Sequence, residues 1–315
     1  MVQNVQNGEI LALADSDEIA AGSDEAKMNV SRAVSQTFEP GSIGKVISMS
    51  GYLQTGLRKP TDQYTVPGRL TVDGQTYKDA FEHGDEHWTL AGILQKSSNI
   101  GMVMAGDGYT DEQRYEYLTK FGIGQSTGLD LPGESSGVLT SPSSWDARTR
   151  NTVLFGQGGY TVNALQLSNI VATIANKGVK QQQSIIKSDD GNTENKSKAT
   201  RVVDEQVAAQ MMDAMESVSD SYSTFVKVDG YRMAAKSGTA EVQGADGKLS
   251  SIISDYSVAI PADNPRFVVT VVLKDPTGFG GLTAGPVSAQ ICAFLMQKYE
   301  VPISTPRKDA IPVTW

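Results

Sequence analysis

Three short motifs supply serine and lysine side chains of the kind that form and break an acyl bond. They are Ser42-Ile43-Gly44-Lys45, Ser97-Ser98-Asn99 and Lys236-Ser237-Gly238-Thr239, in that order along the chain. An ordinary serine hydroxyl is a weak nucleophile and needs an adjacent base. A lysine amine can be that base only when it is neutral, and burial or a second nearby cation lowers its pKa. The motifs therefore favour serine acyl transfer that uses lysines where other enzymes use histidine.

The first motif contains the predicted nucleophile, Ser42, and its base, Lys45. The two residues are three apart, which places them on one face of a helix, and residues 42–54 have apolar side chains at helical spacing. Lys236 would be the second cation that keeps Lys45 neutral. The motif alone also fits an N-capping serine followed by a surface lysine. The same spacing recurs in Ser184-Ile185-Ile186-Lys187, which borders a polar segment.

The second motif would lie on a turn after a helix at residues 89–96. Ser97 and Asn99 are two residues apart, so they do not share a helix face, and a turn would aim both into a cleft. We expect Ser97 to relay a proton to the leaving group, and Asn99 to hydrogen-bond the substrate amide and Lys45. The alternative for these residues is simple capping of a helix C-terminus.

The third motif lies among small residues in a predicted strand, where an extended peptide can pair with the backbone. Gly238 would permit close approach of that backbone. Ser237 and Thr239 would hold a terminal carboxylate, and Lys236 would add positive charge. The N–H groups of Ser42 and Thr239 would form an oxyanion hole.

Composition narrows the function classes. The chain has 315 residues, 20% charged residues and a net charge of -9, without a block of Lys and Arg, which argues against nucleic acid as a partner. Cys292 is the only cysteine, and we predict that it is buried. His83 and His87 share one short loop without the spacing of a helical metal motif, so we expect surface histidines and neither metal nor organic cofactor. No apolar run reaches the ~18–20 residues that cross a bilayer.

The order of predicted elements indicates an α+β fold. Strands are predicted at residues 10–14, 231–242, 254–260 and 266–273, and helices at 42–54, 89–96, 111–121, 162–176, 204–218 and 287–298. We expect an antiparallel sheet covered by helices, with an inserted all-helical lobe. Residues 187–199 are rich in Ser, Asp, Asn and Lys, which predicts a mobile and dispensable segment.

Segments along nearly the whole chain resemble the transpeptidase domain of class B penicillin-binding proteins, especially the septal cell-division type. Besides the three motifs, they are residues 8–14, 32–34, 38–42, 121–124, 128–134, 155–158, 230–236 and 261–265. The resemblance implies a penicillin-binding protein/serine β-lactamase-like fold. Residues 1–315 would form one transpeptidase domain, with an α/β part at about 1–40 and 219–315 and a mostly helical part at about 41–218. The family more often has Thr at position 237, but Ser237 keeps the hydroxyl.

The resemblance implies a D,D-transpeptidase that cross-links peptidoglycan stem peptides through a serine acyl-enzyme and is acylated by β-lactams. Septal cell-wall synthesis with divisome membrane proteins as partners follows from the same resemblance. A β-lactamase, a β-lactam sensor and an inert scaffold remain alternatives. The first is disfavoured because no Glu-x-x-Leu-Asn segment of the class A kind is present.

Members of the family have a membrane anchor and a pedestal domain, and neither is recognisable in this chain. We therefore expect a trimmed form or part of a divided protein, soluble as given, whose parent acts at the outer face of the cytoplasmic membrane. The family also has a helix ahead of residues 8–14 that packs beside the closing helix. Seven residues cannot supply it. We predict that Ile291, Phe294 and Leu295 are the inward residues of the closing helix. Either another polypeptide segment covers the face that the missing helix leaves, with residues 311–315 as a partial cover, or the chain is marginally stable alone.

Overall fold

The structure is a computed structural model that describes residues 1–15, 31–129, 131–187, 198–243 and 249–315. In chain order the strands are β1 (Val2–Asn4), β2 (Ile10–Ala12), β3 (Gln63–Val66), β4 (Leu70–Val72), β5 (Gln75–Tyr77), β6 (Glu86–Thr89), β7 (Val179–Lys180), β8 (Thr200–Arg201), β9 (Ala234–Gln243), β10 (Leu249–Ile260) and β11 (Phe267–Lys274). The helices are α1 (Arg32–Ser35), α2 (Gly44–Gln54), α3 (Leu90–Lys96), α4 (Asn99–Ala105), α5 (Asp111–Lys120), α6 (Ala147–Thr152), α7 (Ala164–Ala175), α8 (Glu205–Ser221) and α9 (Gly280–Lys298), with short 3-10 helices at Gly41–Ile43, Pro142–Ser144 and Val153–Phe155.

A five-stranded antiparallel sheet forms the centre, in the order β2-β1-β11-β10-β9. Successive residues of a strand point to opposite faces, and both faces of this sheet are covered. Val258 and Val269 pack against α9, whereas Ala259 and Val268 belong to the core shared with α7 and α8. Because both faces are covered, the first four residues of β11 are all buried, and buried residues do not alternate with solvent-facing ones there.

The helical lobe is built around α2. Ten of the eleven residues of α2 are buried, so the helix has no solvent-facing side and is a core element. Its neighbours are α5, α8 and the 3-10 helix Val153–Phe155. Because Lys45 lies in the first turn of this buried helix, its amine is enclosed by protein on all sides.

The predicted fold class is confirmed, and the elements differ from prediction mainly at their ends. The structure also contains elements that the sequence did not predict, among them β1, which pairs with β11, and the helices α1, α4 and α6. The closing helix α9 begins at Gly280, seven residues earlier than predicted, and continues through Pro286. The predicted strand at residues 10–14 is shortened to β2. Most of the segment predicted to be mobile, residues 188–197, lies outside the described residues.

Two expectations about α9 are wrong. Phe294 is 59% exposed, because Cys292, Leu295 and Met296 form the face that packs on the sheet and Phe294 points away from it. Residues 311–315 do not cover this helix: Pro312 and Val313 accept hydrogen bonds from Thr89, at the start of α3 in the other lobe. Among the described residues, no helix is long and apolar enough to cross a membrane.

Candidate active site

Ser42 lies where a 3-10 turn leads into α2. The preceding Gly41 has a φ of 51°, a conformation that favours glycine, and a Cβ there would lie 2.6 Å from the Thr239 carbonyl oxygen. The absence of a side chain at Gly41 lets the start of α2 approach the backbone of β9. Ser42, in the first motif, therefore lies beside Thr239 in the third.

Lys45 connects the nucleophile to the second motif. Its Nζ donates to Ser42 Oγ at 2.9 Å, to the Ser97 carbonyl oxygen at 2.5 Å and to Ser97 Oγ at 3.2 Å. The lysine is fully buried. One amine therefore contacts both the predicted nucleophile and the predicted proton relay.

The second motif occupies a turn between two helices. Ser97 ends α3 in the left-handed conformation, with φ 57° and ψ 34°, and Ser98 caps α4 by accepting from the Gly101 N–H. Asn99 is the first residue of α4, whose existence the sequence did not indicate. The sequence predicted a hydrogen bond between Asn99 and Lys45. In the part of the chain that the structure describes these residues are not hydrogen-bonded, because the Lys45 amine donates to the carbonyl and hydroxyl oxygens of Ser97 instead.

Lys236, in the third motif, reaches the same hydroxyl from β9. Its Nζ donates to Ser97 Oγ at 2.9 Å and to the Ser237 carbonyl oxygen at 3.0 Å. The Ser97 hydroxyl thus bridges two buried lysines. Ser42, Lys45, Ser97 and Lys236 form one continuous line of hydrogen-bonding groups.

The pKa values of both lysines are lowered by their surroundings. Burial is the main cause for Lys45, whose pKa lies well below its ordinary value; the charge of Lys236 lowers it further and Asp79 opposes the change. Burial lowers the pKa of Lys236 to about 7, against the opposing charge of Asp255. Lys45 is therefore suited to the neutral form that a base requires.

The remaining residues of the third motif line the outer strand of the sheet. The Ser237 hydroxyl lies 3.3 Å from the Tyr222 hydroxyl, and Thr239 Oγ1 donates to the Gly238 carbonyl oxygen and accepts from the Gly280 N–H. Since β9 is the last strand in the described sheet, its free side is available to an extended peptide.

Gly238 lies directly over a buried carboxyl group. It pairs in register with Asp255 on β10, and a Cβ on Gly238 would overlap Asp255 Oδ1 and lie 2.7 Å from the Pro40 carbonyl oxygen. Asp255 is fully buried, and neither of its carboxylate oxygens makes a hydrogen bond of normal geometry with the described residues. Burial raises its pKa well above the ordinary value, opposed by the charge of Lys236 and the Gly238 N–H.

The competing patterns in the sequence do not form a second site. Ser184 lies outside the helices, and its hydroxyl is hydrogen-bonded to the backbone of Ile186. Ser184 and Lys187 therefore do not share a helix face. The prediction that both histidines lie at the surface is wrong for His83, whose side chain is only 4% exposed because it bonds the buried Asp79. No group of three metal-ligating side chains occurs among the residues that the structure describes.

Asp79 and Asp255 are the charged residues near the site that the sequence did not single out. Asp255 is the only charged residue of β10, and an acidic residue within a predicted strand is itself a signal because unpaired charges are rarely buried. Asp79 gave no comparable signal, since it stands in a polar loop with several other acidic residues.

Comparison with known proteins decides the family. The sequence model of the penicillin binding protein transpeptidase domain matches residues 1–296. The chain belongs to this family. FtsI of Escherichia coli, named a peptidoglycan D,D-transpeptidase, is 32% identical in an alignment of 310 residues that covers 95% of this chain and 51% of FtsI. The chain spans about half the length of the curated relatives it matches.

Solved structures agree with this assignment. A peptidoglycan synthetase from Bifidobacterium adolescentis is 70% identical, with a TM-score of 0.94, over 100% of this chain and 59% of that chain. Penicillin binding protein 3 from Mycobacterium tuberculosis, in complex with ampicillin, is 31% identical with a TM-score of 0.88, over 100% of this chain and 75% of that one. The resemblance to septal class B penicillin-binding proteins is confirmed.

Proposed function

We propose that this chain is the catalytic domain of a peptidoglycan D,D-transpeptidase and that Ser42 is its nucleophile. The carrying observation is the buried Lys45 amine 2.9 Å from Ser42 Oγ, with its pKa lowered by burial and by Lys236. A serine beside a neutral buried amine has the base that nucleophilic attack requires. The name of the FtsI relative supplies the reaction class.

In the proposed acylation step, Ser42 Oγ attacks the carbonyl carbon between the last two D-alanines of a stem peptide. Its proton passes to the neutral Lys45 amine. The oxyanion that forms faces the N–H groups of Ser42 and Thr239. When the C–N bond breaks, the leaving D-alanine nitrogen receives a proton through the Ser97 hydroxyl, which Lys45 and Lys236 both contact.

In the second step the acyl group passes from Ser42 to the acceptor amine, with proton transfers opposite to those of the first step. The amine of a neighbouring stem attacks the Ser42 ester, gives its proton to the site, and forms the cross-linking amide while Ser42 regains its hydrogen. Ser237, Gly238 and Thr239 would align the donor peptide along the free side of β9, with its terminal carboxylate at the two hydroxyls. Asn99 would hold the substrate amide. A β-lactam would take the place of the dipeptide, as the ampicillin complex of the tuberculosis protein suggests.

For the whole protein we propose a role in septal wall synthesis at the outer face of the cytoplasmic membrane. Stem peptides would be its substrates, and divisome membrane proteins would bind the parts that lie outside the transpeptidase domain. The division of residues 1–315 into an α/β part and a helical part also remains a proposal.

Labelling with a fluorescent penicillin tests the nucleophile. We expect one adduct, on the Ser42 peptide in a mass-spectrometric digest, lost in Ser42→Ala and retained in the matched control Ser184→Ala. Lys45→Ala should slow acylation about 10²–10⁴-fold, the usual contribution of a general base. Labelling that survives Ser42→Ala, or Lys45→Ala acylated within about threefold of the parent, would contradict the assignment.

The fate of the acyl-enzyme separates the alternatives. Rapid release of label indicates a β-lactamase. Stable label, together with release of D-alanine from a stem pentapeptide and amide formation with an added amine, indicates the transpeptidase. Stable label without either product indicates a sensor.

A further inference from the structure

A buried carboxylate underlies the turn that carries the second motif. Asp79 follows β5, and its side chain has no exposed area. Its oxygens accept from Ser98 Oγ at 2.6 Å, the Asn99 N–H at 2.5 Å and the Ile100 N–H at 3.1 Å. These donors belong to the three residues that immediately follow Ser97.

A fourth donor fixes the carboxylate itself. His83 Nε2 lies 3.0 Å from Asp79 Oδ2, and its Nδ1 lies 2.7 Å from the Gly84 carbonyl oxygen. The ring packs in a cluster with the side chains of Phe81 and Trp88, with centroid distances of 5.3 Å to each. A carboxylate buried with four donors is held in one orientation, because each lost bond would leave a polar atom unsatisfied.

The turn needs such a hold because Ser97 has an unfavourable backbone conformation. A non-glycine residue at φ 57° persists only where the surroundings over-determine it. On its N-terminal side the turn is fixed by the end of α3, where the N–H groups of Ser97 and Ser98 donate to Leu94 and Ile93. On its C-terminal side it is fixed by Asp79.

We propose that Asp79, oriented by His83, is the positioning residue for the second motif of the proposed transpeptidase. Its hydrogen bonds keep Ser97 in the left-handed conformation in which the Ser97 hydroxyl meets Lys45 and Lys236. Among the described residues Asp79 makes no hydrogen bond to either amine or to Ser42, so it positions Ser97 through the backbone of the turn. Burial lowers the pKa of Lys45 and the charge of Asp79 opposes that change, so loss of the charge would favour the neutral amine, and this electrostatic effect cannot explain a slower acylation. The proposal rests on the function proposed above, and its test separates the two.

The readout is the split between binding and chemistry in penicillin acylation. A misplaced Ser97 slows the first-order acylation rate constant, whereas the Kd of the non-covalent complex depends on Ser237 and Thr239 and stays within about twofold. If Asp79 had only a structural role, its substitution would lower the melting temperature but would leave the acylation rate constant and the Kd of the folded protein unchanged. Displacements of about 1 Å in a catalytic group cost on the order of 10²-fold.

The decisive variant is Asp79→Asn, which keeps the shape but replaces one acceptor oxygen by a donor. We expect the acylation rate constant to fall about ten- to hundredfold with Kd unchanged. Asp85→Asn, an exposed position in the same loop, is the matched control and should acylate like the parent. Parental acylation by folded Asp79→Asn, or a loss carried by Kd, overturns the proposal.

His83 provides the second arm. His83→Gln keeps an N–H donor for Asp79 and should acylate within about threefold of the parent, whereas His83→Ala should lose about tenfold. His87→Ala, at an exposed histidine of the same segment, is the control. If Asp79→Asn does not fold, the His83 pair decides, and equal rates for His83→Gln and His83→Ala overturn the proposal.

The parent protein distinguishes the two proposals. Failure of the parent to label at Ser42 refutes the proposed function alone. In that case a crystal structure of His83→Ala or Asp79→Asn still decides the role of Asp79. If Ser97 stays left-handed in the variant and keeps its contacts with both lysines, the proposed role of Asp79 is overturned. If Ser97 leaves the left-handed conformation, the proposed role is supported.

Discussion

Gly156→Ala is the substitution with which the backbone packing behind Ser42 can be measured. Gly156 ends the 3-10 helix Val153–Phe155 with a φ of 90° and accepts a hydrogen bond from the Gly41 N–H at 3.1 Å. A Cβ at Gly156 would overlap the Gly41 carbonyl oxygen and lie 2.6 Å from its carbon and 3.0 Å from its nitrogen. All three atoms are backbone atoms, so no side chain can rotate to make room.

The expected cost has two parts. An L-residue in the left-handed region costs about 1–2 kcal/mol. Forcing a methyl group into packed surroundings costs about 1–3 kcal/mol more. The free energy of unfolding should therefore fall by about 2–5 kcal/mol, a large part of the ~5–15 kcal/mol of an ordinary domain.

Gly74→Ala separates these parts. Gly74 has a φ of 74° in the turn between β4 and β5, and a Cβ there meets nothing within 4 Å. This control carries the conformational cost without the overlap, so it should lose only about 1–2 kcal/mol. Urea titrations of both variants give the difference, which measures the contact with Gly41.

Acylation provides the functional result. The overlap displaces Gly41, and with it Ser42, relative to Thr239, and a shift near 1 Å costs on the order of 10²-fold in rate. Folded Gly156→Ala should therefore acylate ten- to hundredfold more slowly, while Gly74→Ala acylates like the parent. Equal stability losses in the two variants, or parental acylation by Gly156→Ala, would refute the argument that this backbone contact sets the position of the nucleophile.

Three further outcomes are expected. Glu216→Gln should lower the free energy of unfolding by about 2 kcal/mol in urea titrations, because it weakens charge-assisted hydrogen bonds between buried Glu216 and partly exposed Arg232. Glu205→Gln, on the same helix but exposed, should change it little. The pKa of folded Lys236 is about 7, against about 10.4 unfolded, so the unfolded chain binds more protons between these values. The parent should therefore gain stability relative to Lys236→Met as the pH rises from 7 to 10, in denaturant titrations. Deleting residues 311–315 removes two acceptors from the N-cap of α3 and should lower the melting temperature, at about 1 kcal/mol for each hydrogen bond.

The sequence was sufficient for those parts of the site that depend on local spacing. The Ser42–Lys45 pair follows from three-residue spacing on a helix, and α2 occupies the predicted residues with its first turn tightened into a 3-10 helix. Strand β11 follows from its apolar, β-branched composition. These features depend on neighbours along the chain, which a single sequence contains.

The features that the sequence did not predict depend on tertiary contacts. The left-handed Ser97 lies where Lys45 donates to its carbonyl oxygen and Asp79 accepts from the N–H of Asn99, and both partners are distant in the sequence. Helix α4 was missed because Gly101 interrupts a short apolar run. The sequence did not show that Ser98 is the N-cap of a helix, which the structure does. The early start of α9 was missed because Gly280, Gly281 and Pro286 read as helix breakers.

The first and third motifs meet through backbone contacts that glycine permits, whereas side-chain hydrogen bonds from Lys45 and Lys236 join both of them to Ser97 in the second motif. Gly41 brings the start of α2 onto Thr239, Gly156 supports Gly41 from behind, and Gly238 lets β9 approach Pro40. A side chain can change rotamer in response to a substitution, but two backbones in direct contact cannot adjust without moving the elements that carry them. The distance between Ser42 and β9 is therefore set by the packing of α2, the 3-10 helix and the sheet as units. It follows that substitutions at these glycines should alter acylation more strongly than equally destabilising substitutions within the helical core.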